Sequence, residues 1–415
     1  MTDAVVPIRR GTNLPAMGDF NQSVILDAIR RSSAGLSRVE LTAATGLSAQ
    51  TVSNICRRLI DQGFVAEAGK EITGPGKPRT ILRLNPDGAF ALGVHLDPTF
   101  MTFVMLDLSG SIVARSRRST PISAEPDVII AELMSALTEL ISEAGVSRTR
   151  IAGVGIAAPG PIDKRRGTVV DPPHLIGWHQ VALRDALAEG MGLPAILDKD
   201  VTAAAIAEMW AGGPSGLGSF VFCYLGTGVG AGLVVKGEVV RGSSDNAGEI
   251  GHIVTDPDGP LCSCGMRGCV SVTCTPQALV MEAQRLGVFG GEVVRLDTVS
   301  VDERFSELCD SAAAGNAIAV EILDRSAARI ARVVAVVANM LDLDRVVFGG
   351  PFWSRLSAHY ALSIPTLLEE HRAARSIHRI AVTGTGVGED VAAVGAACLV
   401  LDMALTPNPK SLLLA

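Results

Sequence analysis

The chain has 415 residues, of which 48% are hydrophobic, and a formal net charge of −7. This length and apolar content provide for one large or two to three modest folded domains and exclude a disordered chain. No run reaches the roughly eighteen consecutive apolar residues of a membrane span, and the first residues lack the apolar stretch of a signal peptide. We therefore expect a cytoplasmic protein that does not insert into membranes.

The charge is distributed unevenly along the chain. Residues 1–86 contain 11 Lys and Arg against 7 Asp and Glu, a balance of +4, so the remainder carries −11. A basic N-terminal segment ahead of an acidic body indicates a nucleic-acid-binding module joined to a part that does not contact DNA.

The first elements predicted along the chain are an arm and a helix. Residues 1–18 are polar, and we expect them to form a disordered arm. From Asn21 to Arg30 the apolar residues recur at helical spacing, which predicts a first helix. We place the N-terminal domain at residues 19–86.

Two further helices follow, joined by a short turn. Ser37 and Glu40 have the capping-box spacing that begins a second helix. Gly46 permits the turn after it, and Ser48 caps a third helix that extends to Asp61. Helix, short turn and helix is the layout of a helix-turn-helix, whose second helix enters the major groove of DNA.

The third helix is amphipathic. Its core side would consist of Leu47, Val52, Ile55 and Leu59. Its opposite side can read base edges and bind phosphates through Gln50, Thr51, Ser53, Asn54, Arg57 and Arg58. A double-stranded operator is the partner that this surface predicts.

A strand after Gly63, a tight basic loop and a strand over residues 80–84 predict a wing beside these helices. Lys77 and Arg79 would contact the DNA backbone from the wing. The alternative interpretation of residues 19–86 is a three-helix module for protein interaction.

The body begins with an apolar strand, a tight turn at Asp97 and Pro98, and a second apolar strand, which together predict a hairpin. A Gly-rich turn over residues 225–232 is either a phosphate loop or simply a tight turn. We expect one lobe of the body at residues 90–200 and a second lobe at residues 201–415, with the C-terminal helix returning to the first lobe.

A cluster of thiols lies near the middle of the chain. Cys262, Cys264 and Cys269 fall within eight residues, and His252 stands ten positions before the first of them. Three thiolates and one imidazole make a closed tetrahedral Zn²⁺ site, which leaves no position for a reactive water and is therefore structural. The intervening glycines allow the loop to fold back so that the sulfurs meet. The alternative is a set of buried or disulfide-bonded cysteines.

The pattern Gly-Glu-x-Gly-His, with C-x-C-G-x-x-G-C beginning ten positions after the His, resembles the signature of the ROK family, which groups bacterial sugar kinases with sugar-responsive transcription factors. The N-terminal segment resembles the DNA-binding domain of ROK regulators. The resemblance implies a winged helix followed by a two-lobed α/β body of the ribonuclease-H-like type, as in actin and hexokinase, with an effector in the cleft between the lobes. Because such DNA-binding modules act in two-fold symmetric pairs, we expect a homodimer or homotetramer.

In ROK kinases the first hairpin reads Asp-x-Gly-Gly-Thr and holds the phosphates of ATP. On that pattern His95 stands at the Asp, Asp97 and Pro98 at the two glycines, and Thr99 at the Thr. Pro98 has no N–H to donate, and the carboxylate of Asp97 repels polyphosphate. We therefore expect a kinase fold that no longer uses ATP, and no enzyme activity.

The resemblance also implies a sugar site. Asp200 matches the general base of the kinases, Glu249 matches a sugar-binding Glu, and His252 contacts the sugar while it binds zinc. Lys199 replaces a sugar-binding Asn, and Ser271 replaces the final Glu of the signature. These two changes add positive charge, which predicts an acidic or phosphorylated sugar, unless Lys199 instead pairs with Asp198 or Asp200.

Together these expectations describe a transcriptional regulator of carbohydrate genes, which we expect to be a repressor, controlled by a sugar or sugar phosphate. Two alternatives stay open. One is a sugar kinase with an appended DNA-binding domain, and the other is a regulator that works without a ligand.

Overall fold

The computed structural model describes residues 14–71, 78–123, 125–173, 175–211, 218–290, 295 and 297–405, with the backbone alone at residues 14–19, 71, 404 and 405. The first thirteen residues of the predicted arm and Lys77 of the predicted wing lie outside these residues. Within the described ranges, no helix has both the length and the apolar content needed to cross a lipid bilayer.

The N-terminal domain is a winged helix built from three helices and three strands. The helices are α1 (Leu14–Arg30), α2 (Arg38–Thr45) and α3 (Ala49–Asp61). The strands are β1 (Leu36–Ser37), β2 (Val65–Glu71) and β3 (Arg79–Leu84), which pair antiparallel in the order β1-β3-β2. Val52, Ile55 and Leu59 are buried in its core, and Leu47 packs against them.

The predicted helix boundaries at the turn are confirmed by their caps. The N–H of Ser37 donates to Oε2 of Glu40 (2.7 Å), and the Ser37 hydroxyl accepts from the N–H of Glu40 (3.4 Å). Gly46 has φ +70°, the left-handed conformation that ends α2. The Ser48 hydroxyl accepts from the N–H of Thr51 (3.2 Å) and begins α3. These side chains satisfy backbone groups that a helix end leaves free.

The first helix is longer than the sequence pattern indicates. It begins at Leu14, so the prediction of a disordered arm is wrong for residues 14–18. Pro15 lies in its first turn, where a proline costs no helical hydrogen bond. Residues 14–18 are Leu, Pro, Ala, Met and Gly, so the error came from treating all of residues 1–18 as one polar arm.

The first sheet of the body has five strands. They are β4 (Phe90–Leu96), β5 (Phe100–Asp107), β6 (Ile112–Ser119), β7 (Ile151–Ala158) and β10 (Ala195–Lys199), in the order β10-β7-β4-β5-β6. Strands β4, β5 and β6 are antiparallel, whereas β7 and β10 run parallel to β4. A short hairpin of β8 (Ile162–Asp163) and β9 (Thr168–Val169) precedes β10. Helices α4 (Pro126–Ala144) and α5 (Leu183–Met191) pack on this sheet.

The second sheet also has five strands. They are β11 (Phe220–Leu225), β12 (Val229–Val235), β13 (Glu238–Val239), β14 (Arg345–Gly349) and β15 (Ala381–Gly384), in the order β13-β12-β11-β14-β15. Its helices are α7 (Val270–Thr273), α8 (Pro276–Arg285), α9 (Thr298–Ala313), α10 (Ala317–Leu341) and α11 (Trp353–Glu370). Each sheet therefore has its own buried core, and the protein is mixed α/β.

Two helices join the sheets, α6 (Asp200–Ala211) and α12 (Val391–Leu405). Helix α12 packs on β4 and β7, α6 packs on β11 and β12, and the two helices pack on each other. A Cβ atom on Gly155 would lie 1.7 Å from the carbonyl oxygen of Ala396, and one on Gly395 would lie 1.7 Å from that of Ala203. Only glycine permits this approach, which fixes the position of α6 and of its first residue, Asp200.

The winged helix contacts the body through α1. Apolar side chains of α1 share one core with α6 and α12. The guanidinium of Arg30, the last residue of α1, lies 4.3 Å from the ring centre of Trp210 near the end of α6. Such a cation–π contact stabilises the junction by about 0.5 to 2 kcal/mol.

Candidate ligand cleft, metal centre and nucleic-acid interface

A cavity of 1020 Å³ opens between loops of the two sheets. The turn after β4 and the turn after β11 line one end of it. The residues that the sequence predicts to contact an effector all line the cavity: Lys199, Asp200, Glu249, His252 and Ser271. Residues from distant parts of the chain thus face one space.

The turn between β4 and β5 keeps no backbone N–H for a phosphate. The N–H of Asp97 donates to the carbonyl of Phe100 (3.0 Å), Pro98 has no N–H, and the N–H of Thr99 donates to Oδ1 of Asp97 (2.8 Å). The second carboxylate oxygen, Oδ2, accepts from the hydroxyl of Thr227 (3.1 Å) in the Gly-rich turn. A buried carboxylate therefore occupies the point where the donors of both turns converge.

His95 lies beneath this turn and is buried. Its Nε2 atom is 3.4 Å from the hydroxyl of Tyr224, and the two rings meet edge to face. Burial lowers the pKa of His95 below its ordinary value, although the Asp97 carboxylate opposes the shift. The imidazole is consequently neutral near pH 7 and contributes no positive charge to the turn.

Lys199 connects the first sheet to the loop before Glu249. Its side chain is 3% exposed, and its ammonium contacts the Glu249 carboxylate and the carbonyls of Asn246 and Ala247 (both 3.4 Å). An ammonium has three donors, and these three acceptors use all of them. In this conformation Lys199 has no donor left for an effector.

The predicted ion pair of Lys199 with Asp198 or Asp200 is wrong, because the partner is Glu249. Successive side chains of a strand point to opposite faces, so the Asp198 carboxylate lies on the other side of β10 from the Lys199 ammonium. There Asp198 is fully buried and accepts from Lys164 (2.6 Å) and Arg241 (3.0 Å).

Asn246 strengthens the same connection and was not foreseen from the sequence. Its amide accepts from the N–H of Ile162 and donates to the carbonyl of Ile162, both at 2.8 Å. Together with Arg241, it ties the loop of residues 241–249 to the first sheet. The only sequence signal was a polar, Gly-containing stretch directly before Gly-Glu-x-Gly-His.

Asp200 is half-buried at the start of α6, where its carboxylate accepts from the N–H of Val201 (2.7 Å). Burial raises the pKa of Asp200 to about 7, and the Lys199 ammonium opposes this rise. Near neutral pH the Asp200 side chain is therefore partly protonated and partly ionised. The protonated form can donate a hydrogen bond, and the ionised form only accepts.

Ser271, in α7, holds the loop that carries His252. The hydroxyl of Ser271 donates to the carbonyl of Gly251 (2.7 Å). A Cβ atom on Gly251 would lie 2.7 Å from this hydroxyl and 2.9 Å from the backbone carbonyl oxygen of Val229, so the close approach favours glycine. The short side chain of Ser271 thus reaches the loop backbone instead of extending across the cavity.

The four predicted metal ligands lie together. One ligand atom each of His252, Cys262, Cys264 and Cys269 falls within 4.8 Å of all the others. The Nδ1 atom of His252 is 3.5 Å from Sγ of Cys262, and Sγ of Cys264 is 3.6 Å from Sγ of Cys269. One imidazole nitrogen and three sulfurs form a donor set that fits a tetrahedral cation such as Zn²⁺.

Two glycines shape this loop in the way that the sequence predicts. Gly265 has φ +87° and Gly268 has φ +64°, both in the left-handed region. The N–H of Cys264 lowers the pKa of Cys262 to about 6, which favours the thiolate that a metal binds. Burial raises the pKa of Cys269 to about 12, so this sulfur would lose its proton only on metal binding.

Most of the predicted DNA-reading residues on α3 are exposed. Gln50, Asn54, Arg57 and Arg58 are exposed, whereas Thr51 and Ser53 are half-buried. The side-chain amide of Gln50 donates to that of Asn54 (3.1 Å), so these two amides lie side by side on one surface. Arg79 is exposed at the start of β3. The arrangement leaves the polar side of α3 free for a nucleic acid.

Comparisons with known proteins cover both parts of the chain. A sequence model described as the ROK family matches residues 91–403, and one described as the MarR family matches residues 18–70. A xylose repressor of Caldicellulosiruptor bescii is 26% identical over 76% of this chain and 79% of its own length. A glucokinase of Halalkalibacterium halodurans is 31% identical over 62% of this chain and 79% of its own length.

Among solved structures, a ROK family transcriptional regulator described as a homologue of the Escherichia coli MLC protein has the same fold. It superposes with a TM-score of 0.78 at 22% identity and covers 94% of this chain and 98% of its own. The similarity therefore extends from the winged helix through both sheets of the body.

Proposed function

The chain belongs to the ROK family, and from this premise we propose that it is a DNA-binding transcriptional repressor of carbohydrate genes, controlled by a sugar that binds in the cleft. The observation that carries the proposal is the Asp97 carboxylate, which accepts one donor from each turn, the N–H of Thr99 and the hydroxyl of Thr227, while Asp200 and Glu249 line the same cavity. The body has thereby kept groups for recognition without those for phosphoryl transfer.

The proposed absence of kinase activity rests on electrostatics. Phosphoryl transfer depends almost entirely on positioning and on charge stabilisation of the phosphates. A carboxylate at the phosphate position repels them, and Pro98 removes one donor. Asp200 alone supplies a base without a positioned phosphate, which is insufficient.

The effector is a neutral sugar. The predicted preference for an acidic or phosphorylated sugar depended on a free donor on Lys199, and all three of its donors are engaged. Asp200 and Glu249 offer carboxylate oxygens, which accept from hydroxyl groups. A sugar phosphate would have to displace Glu249 from Lys199, whereas a neutral sugar would not.

The metal is a structural zinc held by His252, Cys262, Cys264 and Cys269. With four protein ligands the ion has no open position, so it organises the loop beside the cavity and does not activate water. The His252 imidazole belongs to both the metal set and the cavity lining, which couples sugar binding to the order of this loop.

The signal from effector to DNA passes along α6. This helix begins at Asp200 in the cavity, and Trp210 near its other end contacts Arg30 of the winged helix. Twelve residues of helix span about 18 Å. A ligand that prefers one arrangement of the two sheets would shift α1, and with it the spacing of α3 in a dimer.

The protein binds a palindromic operator as a dimer, since two-fold symmetric winged helices read half-sites about one helical turn or a multiple apart. The test is fluorescence anisotropy on duplexes selected from a random library. Arg57→Ala should weaken binding by roughly tenfold on all sequences and lower the salt slope by about 1, because it removes a phosphate contact. Gln50→Ala should instead change sequence preference.

Arg115→Ala is the matched control, since its side chain is 73% exposed on the edge strand β6 of the body. It should leave the affinity for DNA unchanged. Unchanged affinity after deletion of residues 1–85 would contradict the assignment of DNA binding to the winged helix.

A second candidate function is a sugar kinase with an appended DNA-binding domain. Asp200 in the cavity and the likeness to a glucokinase favour it. Steady ADP release that requires both ATP and a sugar, and that Asp200→Ala abolishes, would establish the kinase. Failure of every neutral and phosphorylated sugar to raise the melting temperature would favour a regulator that works without a ligand.

A further inference from the structure

We propose that the cavity contains a second subsite, beyond the sugar-facing acceptors, for a neutral group with an apolar face: a second sugar ring or the aglycone of a glycoside. The inference rests on the proposed sugar effector and specifies its size. It would make the natural effector a disaccharide or glycoside instead of a single sugar.

The first argument is size. The cavity has 1020 Å³, at the upper end of the roughly 300 to 1,000 Å³ that pockets for drug-sized ligands occupy. A single hexose, with about a dozen non-hydrogen atoms, is much smaller than such ligands. Bound against Asp200 and Glu249, one ring would leave most of the cavity filled only with water.

The second argument is direction. One side of α8 lines the cavity along nearly its whole length, from Gln277 through Met281 to Arg285. At 1.5 Å per residue these positions extend over about 12 Å, which is longer than one sugar ring. Asp200, Glu249 and His252 do not belong to this helix. The α8 side of the cavity is therefore additional space next to the sugar-facing acceptors.

The third argument is charge. The charged side chains that line this part of the cavity are three acidic and three basic ones: Asp256, Asp258, Glu282, Arg267, Arg285 and Arg329. Arg329 pairs with Asp256 (2.7 Å), and Glu282 pairs with Arg325 (2.8 Å), a neighbour on α10. A balanced set of this kind offers no net attraction to a phosphate or a carboxylate.

The fourth argument is the presence of apolar side chains among these charges. Leu261 is 64% exposed and Met281 is 50% exposed, and both line the cavity. Leu261 precedes Cys262, and an antiparallel backbone β-bridge joins it to Arg267. Its position is therefore fixed by the metal loop, residues 252–269. Sugar rings and aryl aglycones present C–H faces that gain by covering such side chains. A neutral, partly apolar group therefore fits this end better than a charged one.

The test is calorimetric titration of the full-length, metal-loaded protein. The probes are glucose and xylose, the β-1,4-linked dimer of each, and the phenyl β-glycoside of each. We expect the dimer or the phenyl glycoside of one sugar to bind about tenfold more tightly than the sugar itself, from the apolar area that its second part covers. The dimer arm and the phenyl arm distinguish a second sugar ring from an aglycone.

Variants locate the effect. Met281→Ser should reduce the affinity for the larger ligand to that of the monosaccharide and leave the monosaccharide unchanged. Leu261→Ser should do the same, with zinc content measured alongside because Cys262 is adjacent. Met266→Ser is the matched control, since Met266 lies in the same loop, is 56% exposed and is not part of the cavity lining.

Equal affinities for a monosaccharide and its larger derivatives would overturn the second subsite and leave the proposed function intact. The same holds if the larger ligands bind more tightly but Met281→Ser and Leu261→Ser leave the ratio unchanged. If no sugar of any size binds, both the subsite and the sugar-controlled function are wrong.

Discussion

The cleft has two contrasting ends in one cavity, one at Asp97 in the turn between β4 and β5 and one at Asp200 at the start of α6. At the turn between β4 and β5, the Asp97 carboxylate accepts from Thr99 and Thr227, so the protein's own atoms already occupy these two donors. At the start of α6, the Asp200 carboxylate faces the cavity and accepts one backbone N–H. Different loops carry the two ends, so one end can be closed without rebuilding the other.

The largest effect should come from removing the metal. This change should abolish binding at the Asp200 end of the cleft and leave the Asp97 end intact. Cys264→Ser deletes one of the four proposed zinc ligands, and metal binding would be coupled to the folding of the loop that carries His252. We expect zinc content near zero by elemental analysis and at least about a hundredfold loss of sugar affinity by calorimetry.

Met266→Ala in the same loop is the control for this change and should keep both zinc and sugar. The turn that carries Asp97 is not part of the metal loop and should be unaffected. Sugar affinity that survives in zinc-free Cys264→Ser protein would show that the sugar end does not depend on the metal.

The next effect compares the two carboxylates directly. Asp200→Asn should weaken sugar binding by about tenfold to a hundredfold, since hydrogen bonds to a charged group are worth about 1.5 to 3 kcal/mol. Asp97→Asn should change the sugar affinity by less than about threefold, because the Asp97 carboxylate already accepts hydrogen bonds from Thr99 and Thr227. Equal losses in the two variants would mean that the ends act as a single site.

The pH dependence should show a smaller effect with a defined sign. Burial raises the pKa of Asp200 to about 7. The carboxylate that accepts hydrogen bonds from sugar hydroxyls is therefore fully ionised only above that pH. Affinity should fall by up to about tenfold per pH unit below 7. Asp200→Asn should remove this dependence between pH 6 and 8.

Protein stability should change in the opposite sense. Because the pKa of Asp200 is raised above its unfolded value, the folded state holds the proton more tightly, and stability falls as pH rises from about 4 to 7. At pH 8 we expect Asp200→Asn to melt higher than the wild type by roughly 2 to 4 °C. A lower melting temperature at pH 8 would mean that the charged carboxylate stabilises the cleft.

These cases also separate what the sequence predicts from what only the fold reveals. The caps at Ser37 and Ser48 and the four proposed metal ligands lie on short stretches of chain, so spacing alone indicates their geometry. The partner of Lys199 is Glu249, which approaches only when the two sheets assemble. Charge order along the chain favoured Asp198 or Asp200 because it contains no information on which face of β10 a side chain occupies.

The size of the cavity could not be predicted from the sequence either. The lining residues of α8 recur at helical spacing, but the same spacing would occur on any exposed helix face. Only the packing of α7 and α8 beside the metal loop turns that face toward Asp200. Sequence motifs therefore identified residues that line the cleft and not the extent of the cleft.

The smallest expected effect comes from changing the Asp97 end of the cleft so that it can accept a phosphate. Asp97→Gly combined with Pro98→Gly restores the two glycines that the ROK kinase pattern has at these positions. The change removes the repelling carboxylate, adds one N–H and frees the donors of Thr99 and Thr227. We expect Mg-ATP affinity to improve by about tenfold, to a Kd on the order of millimolar, in ligand-observed NMR titration. Phosphoryl transfer should stay undetectable, because that step also requires a sugar hydroxyl placed in line with the phosphate.

Thr227→Val in the same background is the control and should lose part of the gain, since it removes one of the freed donors. Tight binding of Mg-ATP by the wild type would contradict the closed phosphate end, and with it the contrast between the two ends of the cleft.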